Sequence, residues 1–466
     1  MDAVPGNLTP PARSRRPELL APAGTLKNLR YALAYGADAV YAGLPRYSLR
    51  VRNNDFVLAN LATGIELAHA AGRGFYLAAN ALPHGAKIKT FLDDMAPVVA
   101  LGPDAFIMAD PGLILLVRER WPELAIHLSV QANTTNAAAV RFWQQQGIRR
   151  VILSRELSLA EIAEIRAACP DMELEVFVHG AVCIAYSGRC LLSGYFNHRD
   201  ANQGTCTNAC RWEYRLARPA AAAGQPSGEG PDPVDLLAAT AGADDEPAAV
   251  RHPAADEVWL LEEAERPGEY MPVLEDEHGT YILNAKDLCA VQHVAELAAM
   301  GIDCLKIEGR TKSHYYAART TWVYRQAIED AAAGRAFRPE LLDALDGLAN
   351  RGYTEGFYRR HAEVQAQHGS MQNYADGASR SRRRIFVGEV LGPDAATGLV
   401  TVAVKNRFGL DAPLELLTPT GSQMVTPARM LAADGSPLDI APGDGWQVRL
   451  PLPWPESRHG LLTAAV

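Results

Sequence analysis

Eight times along this chain a short apolar run gives way to a helical pattern, and that alternation constrains the fold more than any other feature. The runs are residues 18–24, 38–43, 74–82, 105–110, 125–133, 150–157, 174–181 and 304–310. The helical patterns are Leu26–Tyr35, Leu58–Ala71, Lys87–Leu101, Ala137–Gln146, Leu159–Ala168 and Leu288–Met300, with a long one at His314–Ala333. Apolar runs of this length, separated by amphipathic helices, form parallel strands whose faces the helices cover. Eight such units predict an α/β fold, a (β/α)8 TIM-like barrel. A doubly wound sheet is the competing arrangement. It would want a glycine-rich phosphate turn after the first strand, and Ala21-Pro22-Ala23-Gly24-Thr25 is not one.

The other segments fall around this barrel, which spans residues 17–335. Residues 1–16 carry prolines and arginines without an apolar stretch and read as a disordered tail. Between the seventh and eighth strands lies a unit too long for an ordinary loop. It opens with a cysteine-rich segment, 179–214, and continues as an Ala/Pro/Gly/Asp-rich flexible insertion, 215–256. Three short strands are expected next, at 257–265, 269–277 and 280–285, the last two joined by a turn at His278-Gly279. Residues 336–384 read as a charged helical region and a linker. From 385 to 466 short strands and turns predict a small C-terminal β-barrel domain.

No apolar run reaches the ~18 residues of a membrane span, so no membrane partner is expected. The expected location is the cytoplasm, where thiols stay reduced. The net charge of −9 argues against binding nucleic acid through bulk charge, but it is unevenly placed. Residues 213–280 hold sixteen Asp and Glu against four Arg, a net of −12, which leaves +3 for the rest of the chain. A local basic surface is therefore permitted elsewhere.

In a (β/α)8 barrel the active site lies at the C-terminal strand ends. Those ends carry Asn80, Asp110, Gln131 with Asn133, Arg155 with Glu156, His179, and Lys306, Glu308 and Arg310. Caps and ion pairs would supply some of these in any barrel. His179 could serve as a general acid or base, or could cap a loop. Lys306, Glu308 and Arg310 alternate and so share one side of their strand. That set suits a carboxylate or phosphate, or else forms a self-satisfied ion-pair layer. Arg46, Tyr47, Arg50 and Arg52, after the second strand, form a basic-aromatic segment that could contact RNA phosphates and stack a base.

Four cysteines lie just beyond the seventh strand: Cys183, Cys190, Cys206 and Cys210. A thiolate cluster suits a metal or an iron–sulfur centre. The absence of C-x2-C knuckles favours iron–sulfur over zinc. Buried core cysteines or two disulfides are the plainer alternatives.

Residues 18–43, 177–195, 202–214 and 305–325 resemble peptidase family U32, the collagenase-like peptidases. Within it, PRYSLRVRNNDF and GTCTNACRWEY are most similar to a branch that modifies tRNA. The family label implies proteolysis. The branch implies prephenate-dependent formation of 5-hydroxyuridine at the wobble position, the first step towards 5-carboxymethoxyuridine. It also implies a [4Fe–4S] cluster on Cys183, Cys190, Cys206 and Cys210, with the anticodon loop of tRNA as partner. On that reading His179, Lys306, Glu308 and Arg310 are the catalytic candidates. Cys169, Cys289 and Cys304 lie outside the shared motifs and are expected to be core thiols. A non-enzymatic iron–sulfur partner protein is the remaining alternative.

Overall fold

The computed structural model describes residues 16–49, 54–183, 185–187, 189–190, 286–359 and 383–466, with three strands between 214 and 273. Eight parallel strands form the barrel: β1 (Glu18–Pro22), β2 (Ala39–Gly43), β3 (Gly74–Ala78), β4 (Ala105–Met108), β5 (Ile126–Leu128), β6 (Arg150–Ile152), β7 (Glu173–Ala181) and β8 (Cys304–Ile307). Neighbours pair in sequence, and β8 pairs with both β7 and β1, which closes the ring. The helices are α1 (Leu26–Ala34), α2 (Leu58–Ala70), α3 (Gly85–Val99), α4 (Pro111–Arg120), α5 (Ala137–Gln145), α6 (Leu159–Ala168), α7 (Val294–Met300) and α8 (His314–Ala332).

Local chemistry starts many of these helices. The side chains of Thr25, Asp110, Asn136, Ser158 and Ser313 each accept a hydrogen bond from a first-turn N–H, and Ser158 with Glu161 completes a capping box. Asp110, one of the polar strand-end residues, is thereby accounted for as a cap. Along the strands, Leu19, Val40, Phe75 and Leu305 are fully buried beneath the helices. Each such side chain contributes about 1.5–3 kcal/mol by leaving water.

Three local expectations are corrected. The eighth strand ends at Ile307 and does not reach Arg310. The helix expected from Leu288 begins at Val294, because Asp287–Cys289 is a strand. That strand lies antiparallel to the last residues of β7, with Tyr353–Thr354 beside it. β7 is nine residues long and outruns its barrel neighbours, so its exposed N–H and C=O groups need this extra partner. Within the charged region after α8, the described helix is only Glu340–Asp346.

Trp259–Glu263 and Tyr270–Val273 pair antiparallel, as two of the expected short strands. Tyr214–Ala217 joins them, overlapping the start of the stretch read as aperiodic. The tail before Arg16, the strand at 280–285 and the turn at His278-Gly279 lie outside the described residues.

The C-terminal part is all-β, as expected. A seven-stranded antiparallel sheet and a two-stranded one enclose their own core, which includes Val387, Val402, Leu416, Val448 and Leu462. This domain seats on the barrel's helix layer. The Tyr35 hydroxyl donates to the carbonyls of Leu417 (2.9 Å) and His459 (2.8 Å), and Tyr315 stacks on Phe386 at 4.8 Å. Arg319 on α8 makes two hydrogen bonds, 2.8 and 2.6 Å, to the Glu415 carboxylate. No helix among the described residues is long and apolar enough to cross a membrane.

Candidate active site at the barrel mouth

Side chains alternate along each strand, so every second residue enters the barrel. The lower interior is polar. Arg150 binds Glu18 (2.8 Å), Glu173 (2.9 Å) and Glu175 (3.4 Å), and Lys306 donates to Glu175 at 2.7 Å. Tyr76 donates to Glu18 at 2.8 Å and meets the His127 ring edge-on. Burial, reinforced by Arg150 and Lys306, holds the His127 pKa well below its ordinary value. Lys306 thus belongs to a self-satisfied ion-pair layer. Its ammonium also lies 4.4 Å from the centre of the Tyr41 ring.

One layer up, the chemistry changes. Tyr41 carries Lys306 beneath and Arg310 5.6 Å from its ring centre, and its hydroxyl donates to the Ile307 carbonyl at 2.9 Å. Arg310 donates to Ser48 Oγ at 2.5 Å. Gly43 makes room for that pair, since a Cβ there would lie 2.3 Å from the Arg310 Nη1. Arg155 lies 3.9 Å over Phe177, donates to the Ala181 carbonyl at 2.6 Å and sits 3.5 Å from Glu308. Among the described residues, the upper interior brings together the guanidiniums of Arg155 and Arg310 and the carboxylate of Glu308, groups whose chemistry suits an anionic ligand. Glu308 and Arg310 gather here, while Lys306 remains below. Tyr41 and Ser48 were not picked out from the sequence. The signal for Tyr41 was its inward position on β2, facing the alternating charges of β8.

His179 does not join this group. The register shifts between Lys306 and Ile307, so that Lys306 is opposite Phe177 and Ile307 opposite His179. The extra residue on β7 reverses its alternation and turns His179 towards α8. Its ring lies among Tyr316, Tyr324 and Tyr353 at 5.4–5.8 Å, with Nδ1 3.4 Å from the Tyr324 hydroxyl. Burial pushes its pKa down to about 3, against an opposing pull from Asp287, so the ring is neutral near pH 7.

The basic-aromatic segment is also corrected in part. Tyr47 is 2% exposed, packs edge-on against Phe91 at 5.1 Å and bonds through its hydroxyl to Asp94 and Thr90. A ring held in the core cannot stack a base. Arg46 remains at the surface, paired with Asp94 at 2.6 Å. Arg50 and Arg52 lie outside the described residues.

The first two clustered cysteines flank the mouth. Cys183 and Cys190 are half-buried. Their segment is tied to the end of β5 by Asn133, whose amide donates to the Ser187 carbonyl (2.9 Å) and accepts from Arg189 (2.7 Å). Asn133 does so from a left-handed conformation, φ 49°, which Asn tolerates better than most residues. Cys206 and Cys210 lie outside the described residues. The other three thiols differ in kind. Cys169, Cys289 and Cys304 are buried, and burial pushes Cys289 up to about 12 and Cys304 well above the ordinary thiol value. They are core residues, as expected. Half-buried soft donors just past the end of β7 suit a thiolate-held metal or cluster, and the fully buried core thiols do not.

The Peptidase family U32 model matches residues 24–368, and the Peptidase family U32 C-terminal domain model matches residues 382–463. The chain is 59% identical over 445 residues to tRNA hydroxylation protein P of Escherichia coli (strain K12), covering 94% of each chain. It is 55% identical over 443 residues to tRNA hydroxylation protein P of Haemophilus influenzae, again 94% of each. Identity to the 23S rRNA 5-hydroxycytidine C2501 synthase of Escherichia coli (strain K12) is 28% over 408 residues, 85% of this chain and 52% of that one.

Proposed function

The chain belongs to peptidase family U32, and from that premise we propose that it hydroxylates uridine in tRNA. The reaction replaces hydrogen by hydroxyl at C5 of the wobble base in the anticodon loop, depends on prephenate or a compound derived from it, and begins the route to 5-carboxymethoxyuridine. The observation that carries this reading is the 59% identity to tRNA hydroxylation protein P across almost the whole of both chains. The rRNA relative, named for hydroxylation of another pyrimidine, supports the same reaction class.

The anticodon loop offers unstacked bases, which chemistry on a base ring requires. The target base enters the mouth above Tyr41. Arg310 and Arg155 bind the carboxylates of the co-substrate, with Glu308, 3.5 Å from Arg155, orienting that guanidinium and Tyr41 lying beside Arg310. Lys306 and Glu175 form the rigid floor. Cys183, Cys190, Cys206 and Cys210 are the residues to hold a [4Fe–4S] cluster, which supplies one-electron transfer when bound. The neutral His179 supports the mouth through its tyrosine surroundings.

The test is mass spectrometry of tRNA nucleosides from cells lacking the gene, rescued with the wild-type chain or with Cys183→Ser. Loss of 5-hydroxyuridine derivatives, restored by wild type and not by the mutant, is the expected result. Unchanged nucleosides under every growth condition would reject tRNA hydroxylation and turn attention to peptide cleavage by the purified protein.

A further inference from the structure

We infer that Gln131 binds the target uracil by its imide edge, pairing with N3–H and one flanking carbonyl; this rests on the tRNA-uridine reading above. Gln131 follows β5 in a short turn, Val130–Ala132, whose start is fixed by Ser129 Oγ accepting from the Gln131 N–H at 3.4 Å. The residue is 5% exposed. Both its amide oxygen and its amide nitrogen are buried, and neither has a hydrogen-bond partner among the described residues. Folded proteins leave few such groups unpaired, because a buried polar atom without a partner loses its water and gains nothing in return.

The two neighbouring strand-end amides, by contrast, are engaged. Asn80 accepts from the Leu49 N–H at 3.1 Å and donates to Ser129 Oγ at 3.3 Å. Asn133, two residues on, is engaged at both its amide atoms by the cysteine segment. The next strand end repeats the pattern, for Arg155 Nε is also buried without a partner. The ends of β5 and β6 therefore hold an idle donor–acceptor pair and an idle donor next to the segment that carries Cys183 and Cys190.

The chemistry of the ligand follows from that inventory. A carboxamide presents one acceptor and two donors side by side and bears no charge. Its complement is a neutral group with a donor beside an acceptor, and the uracil imide edge is such a group. A phosphate or carboxylate would leave the Gln131 oxygen facing negative charge, and Arg310 and Arg155 are better suited to those. Uracil held by N3–H leaves C5, on the separate C5–C6 edge of the ring, free for reaction.

The test uses the full-length, anaerobically isolated protein and two anticodon stem-loop RNAs. One carries uridine at the wobble position and the other N3-methyluridine, which lacks the donor but keeps C5. Wild type should bind the uridine RNA roughly tenfold more tightly, the size of one good hydrogen bond. Gln131→Leu should bind the two equally and restore little 5-hydroxyuridine in the deletion strain. Its melting temperature should match or exceed that of wild type, because an unpaired buried amide replaced by an apolar group of similar size gives up no bond. Gln131→Met, with an unbranched side chain, should behave alike and guards against a packing defect peculiar to Leu. Equal binding of both RNAs by wild type, or full rescue by either variant, overturns the inference. If the wild-type gene itself has no effect on 5-hydroxyuridine, the tRNA reading fails; the paired binding measurement still decides whether Gln131 reads an imide edge.

Discussion

Replacing Glu415 by Gln should loosen the C-terminal domain from the barrel, by an amount the structure allows to be worked out. Glu415 lies on the antiparallel sheet and takes both hydrogen bonds of Arg319, which is 2% exposed on α8. Ser422, Thr463 (2.9 Å) and Arg384 (3.0 Å) complete its surroundings. Burial by itself would raise its pKa. The Arg319 bonds and charge, then Ser422 and Arg384, outweigh burial and bring it from 4.5 to about 2. At about 1.4 kcal/mol per pH unit, that difference corresponds to about 3 kcal/mol. Because the folded value lies below the unfolded one, this stabilisation is present above pH 4.5 and is lost as the pH falls towards 2. Glu415→Gln also strands a buried guanidinium, and breaking such a pair typically costs about 3–5 kcal/mol. Urea unfolding at pH 7 should therefore show a loss near 3 kcal/mol, and the gap from wild type should narrow only below pH 4.5. Arg319→Met combined with Glu415→Leu should lose clearly less than the sum of the two single changes, since neither charge is left alone. A loss under about 1 kcal/mol for Glu415→Gln, or strict additivity in the double variant, would refute the reasoning.

Two further outcomes follow from the barrel. Lys306→Met leaves the fully buried Glu175 with Arg150 at 3.4 Å as its remaining described ion-pair partner, and should cost about 3–5 kcal/mol in chemical denaturation; a neutral result would mean that this layer is not electrostatically coupled. His179, with its pKa near 3, is neutral when folded while its unfolded counterpart takes up a proton below pH 6.5, so it erodes stability as the pH falls from 6.5 towards 3. His179→Phe should remove that part of the slope and leave the pH–rate profile of modification without a lost step near neutrality; disappearance of such a step would restore His179 as the general base.

Much of the architecture was legible before any coordinates. The eight apolar runs mark the barrel, the helical patterns between them mark its outer layer, and the change of period after Ile385 marks the all-β domain. These are local signals, written within a few residues of where they act. The polar strand ends were likewise legible, and Gln131, Arg155, Glu308 and Arg310 were all among them.

What that pattern does not carry is which partner each side chain meets. Lys306, Glu308 and Arg310 look equivalent along the chain, yet Glu175 claims the first while the mouth keeps the other two. Tyr47 looks like a stacking ring beside arginines until Phe91, Thr90 and Asp94, more than forty residues away, enclose it. His179 stands in line with the strand ends, and a single extra residue in the pairing of β7 with β8 turns it to the helix layer. By itself the sequence determined the periodicities and the inventory of polar groups at one end of the barrel, because each depends on near neighbours along the chain. Only the tertiary structure decided which of those groups are paired and which stay idle, because register and burial are settled by contacts between segments forty to more than a hundred residues apart.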